Sequence, residues 1–159
     1  MEREIDLKEI SDGRLYSSSD MVKADCGDCK GCSACCQGMG SSILLDPYDI
    51  YRLSTGTGLT FEDLLKGRIE LNMSDGLILP NLKMAGEKEA CCRLFPLGRR
   101  YENGSFQYFL QTHECKKENR TKVKVRKWID IPDFGKYEKF VSDWHYFAKE
   151  MGQKIKSLG

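Results

Sequence analysis

Cys26-Gly27-Asp28-Cys29-Lys30-Gly31-Cys32-Ser33-Ala34-Cys35-Cys36 is the stretch on which the reading of this chain turns. It is a ladder of cysteines spaced two residues apart and closed by an adjacent pair. The remaining cysteines of the eight are Cys91, Cys92 and Cys115. Thiolates this dense are oxidation hazards unless something occupies them, and thiolate is a soft ligand suited to zinc and to iron–sulfur clusters. Two intervening residues allow a tight turn that brings consecutive sulfurs to one side. Gly27, Gly31 and Gly38 supply the permissive backbone that such wrapping needs, and Lys23 and Lys30 offset part of the accumulating negative charge.

The ladder points to a metal more firmly than to any one metal. Structural zinc usually takes two separated cysteine pairs. Iron–sulfur runs draw three cysteines from one loop and a fourth from a distance, which puts iron–sulfur slightly ahead of zinc. Cys92 or Cys115 could be the distant ligand, although the proline that follows that cysteine in ferredoxin-type runs is missing. Eight thiols could build two four-thiolate sites, or one site with spare thiols, because adjacent Cys35 and Cys36 cannot easily face the same ion. Taken singly, Cys91 or Cys92 could be a small buried hydrophobe, but for the pair beside Arg93-Leu94-Phe95-Pro96 ligation is the favoured reading.

The rest of the composition narrows the setting. A chain of 159 residues is expected to form a single domain with a real core. The net charge of +1 gives no global pull toward nucleic acid or an anionic membrane. The opening MEREIDLKEI is charged where a signal peptide is apolar, and no run approaches a membrane span. The expected compartment is therefore a reducing cytoplasm, where clustered cysteines bind metal or do redox work. A disulfide framework would need a secreted context.

Outward from the ladder, residues 1–22 read as a polar arm with one helical turn. Asp46-Pro47 starts a helix running to about Ser54 and stopping at Gly56-Thr57-Gly58, which is a helix end rather than a phosphate loop. Thr60 caps a second short helix, with Asp63 three residues on. Residues 69–84 read as a hairpin turning at Asp75-Gly76, and 105–112 as a strand entered by a turn at Asn103-Gly104. Residues 122–129 alternate like a strand before Trp128 and Ile129 turn inward. Residues 132–158 form an amphipathic helix with Tyr137, Phe140, Val141, Trp144, Phe147 and Met151 at three- and four-residue spacings. The expected fold is a small α+β domain: a cysteine-rich metal-binding loop, a short antiparallel sheet, and the C-terminal helix over that sheet.

The cysteine motifs resemble the YkgJ-type cysteine-cluster family, the CxxCxxCC or zinc- or iron-chelating domain. The resemblance lies in Cys29-x2-Cys32-x2-Cys35-Cys36, Ile43-Leu44-Leu45-Asp46-Pro47-Tyr48-Asp49, Leu79-Pro80, Cys92-Arg93-Leu94-Phe95-Pro96-Leu97-Gly98-Arg99 and then Cys115. Together these span most of residues 26–145 in the family's order. The resemblance implies a metal site and little further activity, the family being poorly characterised. A flagellin lysine methylase is similar at the motif only, and no methyl-donor-binding pattern accompanies it. One departure stands out. The family usually carries a further segment, with another cysteine and an Arg-Pro pair, where Cys91 here abuts Cys92. Either the segment is lost in this variant, or residues are missing at that junction.

Other candidates have plainer readings. Lys116, Lys117, Arg120, Lys122, Lys124, Arg126 and Lys127 could contact phosphates, with Trp128 and Tyr108 stacking on bases. A solvated basic face beside an electron-rich cluster is the favoured reading, so nucleic acid is not the expected partner. His113 could be a nitrogen ligand, while His145 is expected to pack or face water. Asp46 and Asp49 read as helix-start residues, and no catalytic constellation can be assembled. The expected metal ligands are Cys26, Cys29, Cys32, Cys35, Cys36, Cys91, Cys92 and Cys115. They would hold an iron–sulfur cluster or zinc in a cytosolic protein that meets a protein or redox partner. The alternatives are a structural-zinc interaction module without catalysis and an accessory metal domain of a methylase-like enzyme.

Overall fold

The computed structural model describes residues 6–27, 43–83, 94–113, 115 and 117–159. The fold is α+β, with short antiparallel sheets and a long C-terminal helix. The chain divides into two compact units, one built from Gly38–Glu89 and Asp143–Gly159, the other from Glu2–Gln37 and Ala90–Ser142.

In the first unit, helix α2 (Pro47–Thr57) opens on a reciprocal cap. Asp46 accepts from the Asp49 N–H at 2.8 Å, and Asp49 accepts from the Asp46 N–H at 3.0 Å. It closes at Gly58, in the left-handed region at φ +70°, whose N–H returns to the Ser54 carbonyl. The helix thus runs three residues beyond the expected Ser54. Thr60 then caps α3 (Phe61–Leu65) by accepting from the Asp63 N–H, and α3 buries Leu64 completely. Strands β2 (Ile69–Ser74) and β3 (Leu77–Leu82) pair in full register from Ile69↔Leu82 to Ser74↔Leu77. Asp75 and Gly76 both have positive φ, +52° and +86°, the two-residue turn whose twist matches antiparallel strands. Residues 43–45 run along β3, Leu45 donating to the Pro80 carbonyl and Ile43 accepting from the Leu82 N–H.

The hairpin turn is pinned by the end of α5 (Phe134–Leu158). A Cβ on Gly152 would lie 2.8 Å from the Asp75 carbonyl oxygen, so only glycine permits this approach of helix to turn. Lys156 Nζ meets Asp75 Oδ1 at 2.8 Å, and the hydrogen bond from Lys156 holds the Asp75 carboxyl down to about 2. A depressed carboxyl pKa stabilises the fold above the ordinary carboxylate range, and that stabilisation is lost as pH falls through about 2. Both side chains are exposed, so salt screens the pair. In an NMR titration the Asp75 carboxyl is expected to titrate near pH 2 at low salt and to move upward in Lys156→Met. An unmoved midpoint in that variant would reject the pairing.

In the second unit, β4 (Leu97–Glu102) and β5 (Ser105–Leu110) form a hairpin from Leu97↔Leu110 to Glu102↔Ser105, turning at Asn103 and Gly104, again both at positive φ. The turn was legible in the sequence; β4 was not. Gly98 faces Phe109, and a Cβ there would fall 2.2 Å from the ring tip, so the ring lies across the bare backbone. The stretch read as a polar arm holds α1 (Leu7–Ile10) and strand β1 (Met21–Asp25), whose Val22 and Ala24 are wholly buried. β1 pairs antiparallel with β6 (Thr121–Lys124). The alternating run expected over 122–129 stays a strand only to Lys124 and then becomes helix α4 (Val125–Ile129). The Val125 N–H donates to the Asp20 carbonyl and the Arg126 N–H to the Ser18 carbonyl, contacts that sequence periodicity does not report.

The core of this unit gathers Val22, Ala24, Leu97, Tyr108, Leu110, Val125 and Ile129, joined by Tyr137 and Val141 from the first turns of α5. The Arg99 guanidinium lies between the Phe106 and Tyr137 rings, 5.5 and 5.4 Å from their centroids, and donates to the Tyr137 hydroxyl. The Tyr108 hydroxyl donates to Glu138 at 3.1 Å, and burial, reinforced by that carboxylate, pushes the phenol's pKa up. Farther along α5, Phe147 and Ile155 are exposed, so the apolar stripe is less fully covered than its spacing suggested.

Candidate metal centre

The described cysteines, Cys26 and Cys115, belong to the second unit, and its strand ends indicate where they attach. β1 and β6 share an end at Asp25↔Thr121. Cys26 leaves β1 at this end, and the chain from Cys115 enters β6 here. The β4–β5 hairpin is open at Leu97↔Leu110. Cys92 stands five residues before Leu97, and Cys115 five residues after Leu110. Five residues of extended chain reach at most about 18 Å. Cys115 therefore lies on the short connection between the two strand ends from which the other cysteine-bearing segments depart.

That end is well anchored. The Gln111 N–H donates to the Pro96 carbonyl at 2.9 Å, the Thr112 N–H to Ile10 at 3.1 Å, and Ser11 bridges to Gln111. The Leu97 N–H turns back to the Leu94 carbonyl at 2.8 Å, and the peptide between Phe95 and Pro96 is cis. Pro96 is fully buried, and the Trp128 indole N–H donates to the Phe95 carbonyl at 3.1 Å. The Phe-Pro part of the cysteine motif is thus clamped into the core through backbone atoms.

At the entry to the ladder, Asp25 Oδ1 accepts from the Gly27 N–H at 2.9 Å, and Thr121 Oγ1 reaches Asp25 Oδ2 at 3.4 Å. Gly27 adopts φ +75°, a conformation that L side chains rarely take. An aspartate that bonds the backbone two residues on, followed by a left-handed glycine, reverses the chain immediately around Cys26. The Asp25-Cys26-Gly27 tripeptide carried this signal in the sequence. The Trp128 clamp carried none, because it depends on a carbonyl far away in the chain.

Cys26 and Cys115 are both half-buried. The expected ligands Cys29, Cys32, Cys35, Cys36, Cys91 and Cys92, and the junction of the last two, lie outside the described residues. Among the described residues no group of three or more histidine, cysteine, aspartate or glutamate side chains gathers to hold an ion. His113 is exposed, and the His145 ring stands edge-on to Tyr146 at 5.2 Å. Asp46 and Asp49 are occupied by the cap of α2. Also among the described residues, no helix is long and apolar enough to cross a membrane.

The arrangement defines a class only coarsely: an α+β protein with short antiparallel sheets and a long C-terminal helix, in which the described Cys26 and Cys115 flank the paired ends of β1 and β6. Comparison with protein-family models, curated proteins and solved structures finds no match for the chain. The resemblance to the cysteine-cluster family therefore stands on the quoted motifs alone.

Proposed function

We propose that this is a metal-binding protein that holds an iron–sulfur cluster, or alternatively zinc, through thiolates drawn from Cys26, the ladder behind it, the Cys91-Cys92 pair and Cys115. The observation that carries the reading is the departure of these segments from strand ends joined through Cys115. Thiolates separated by up to 89 positions in sequence, Cys26 to Cys115, are tethered within one unit. The described donors suit the group: Cys26 and Cys115 are half-buried sulfurs, in keeping with soft metals rather than with calcium or magnesium. A bound iron–sulfur cluster would supply a one-electron couple, whereas zinc would supply a rigid junction. The chain's own part is to hold the segments in place, through the Asp25 turn on one side and the Trp128–Phe95 clamp on the other.

The test is metal and acid-labile sulfide analysis of anaerobically purified protein, with its visible spectrum. Iron with equimolar sulfide and absorption that bleaches on reduction is expected. Colourless protein with stoichiometric zinc, bound at about 2.3 Å per sulfur by X-ray absorption, would select the structural-zinc form. Protein that binds neither metal after anaerobic reconstitution would overturn the proposal.

A further inference from the structure

The outer face of the β1–β6 sheet carries an accumulation of positive charge that no carboxylate neutralises among the described residues. Val22 and Ala24 point into the core, so Lys23 projects outward. The register runs from Val22↔Val123 to Asp25↔Thr121, which sets Lys23 and Ala24 together opposite Lys122 in a bulge. Lys124 stands opposite half-exposed Met21, and α4 follows at once with Arg126 and Lys127 exposed. Like charges facing each other across strands are unfavourable. Yet none of Lys23, Lys122, Lys124, Arg126 and Lys127 meets a carboxylate among the described residues. Elsewhere Lys66, Arg100, Lys136, Lys154 and Lys156 each do.

The nearby acids are turned to other work. Asp20 accepts from the Ser17 N–H at 2.7 Å and from the Ser17 hydroxyl at 2.9 Å, while Asp25 holds Gly27 and Thr121. Among the described residues, the two rings that could stack on bases are engaged by the fold. Tyr108 is only 1% exposed, and the Trp128 indole N–H is committed to the Phe95 carbonyl. Basic side chains around an exposed methionine complement an acidic protein surface.

We infer that the outer face of β1–β6 and α4 is a docking surface for an acidic protein partner, placed where the chain enters the cysteine ladder. The inference goes beyond metal binding and does not depend on which metal is held, or on whether one is.

Fluorescence anisotropy with a labelled twelve-residue oligoglutamate peptide tests it on the full chain, against oligothymidylate of equal net charge. The expected result is peptide binding that weakens with added salt. Reversal at Lys122→Glu, Arg126→Glu and Lys127→Glu should weaken it by roughly tenfold or more, equivalent to about 1.4 kcal/mol. Glutamine at the same three positions should give a smaller loss in the same direction, and Lys66→Glu with Lys154→Glu should leave binding within about twofold. Failure of the peptide to bind, equal losses in the two reversal sets, or tighter binding of the oligonucleotide would each overturn the inference. Metal content read on the same samples keeps this outcome separate from the fate of the metal proposal.

Discussion

Replacing Cys29, Cys32 and Cys35 together by serine is expected to abolish metal retention, and Cys115→Ser alone to remove at least half of it. Serine keeps the size and polarity of the side chain but offers no thiolate at neutral pH, so a soft metal loses its ligand while the backbone stays unburdened. Because metal binds the folded site far better than the unfolded chain, its binding energy appears as folding stability. A metal held with free ligand at ~1,000 times its dissociation constant contributes about 4 kcal/mol. For a chain of this length, losing that lowers the thermal midpoint by roughly 10 °C. Metal analysis and thermal unfolding, measured in parallel on anaerobic samples, check both statements. Full metal content in the triple variant would remove the ladder from the site. Unchanged content in Cys115→Ser would remove that residue from the ligand set and weaken the case drawn from the strand ends.

The second large effect concerns the scaffold. Tyr108 is 1% exposed at the centre of β5, its ring edge-on to Phe106 at 5.2 Å and its hydroxyl on Glu138. Tyr108→Ala is expected to destabilise the protein by about 3–5 kcal/mol, the range for deleting a large buried ring. Tyr108→Phe keeps the ring and loses one hydrogen bond, so about 1 kcal/mol is expected. Urea unfolding separates the two, and equal effects would mean that the hydrogen bond rather than the packing holds the hairpin. Tyr108 also pairs in both directions with Tyr16, the Tyr16 N–H donating to its carbonyl and its own N–H to Tyr16. The alanine variant should therefore loosen the N-terminal segment as well, seen as lost amide protection on both sides of that bridge.

Local chemistry made much of the fold legible. Asp75-Gly76 and Asn103-Gly104 announced hairpin turns because few other residue pairs accept positive φ at both central positions. Asp46-Pro47 and Thr60 announced helix starts because their side chains satisfy amide groups only a few residues away. β4 was silent, since Leu97-Gly98-Arg99-Arg100-Tyr101-Glu102 carries a glycine and paired arginines where alternation would be expected. It becomes a strand because β5 offers a partner, Phe109 covers Gly98, and aromatic rings receive Arg99. β1 was hidden in the same way. Five residues with two inward positions are too short to declare a period, and their partner lies near residue 122.

The candidate site divides along the same line. Sequence alone carries the expectation of thiolate chemistry: spacing within the ladder is a local property, and thiolate softness belongs to the side chain wherever it sits. It also determined the turn at Asp25-Cys26-Gly27, whose hydrogen bond closes within three residues. Only the tertiary structure decided that β1 and β6 share the end at which Cys26 and the chain from Cys115 attach. It alone placed Trp128 on the Phe95 carbonyl and left Lys23, Lys122, Arg126 and Lys127 without carboxylate partners among the described residues. Those features depend on groups dozens of residues apart, brought together by burial of Val22, Leu97, Tyr108 and Val125. Apolar burial has no direction of its own. Which distant segments it joins follows from strand register and core shape, and a one-dimensional pattern contains neither.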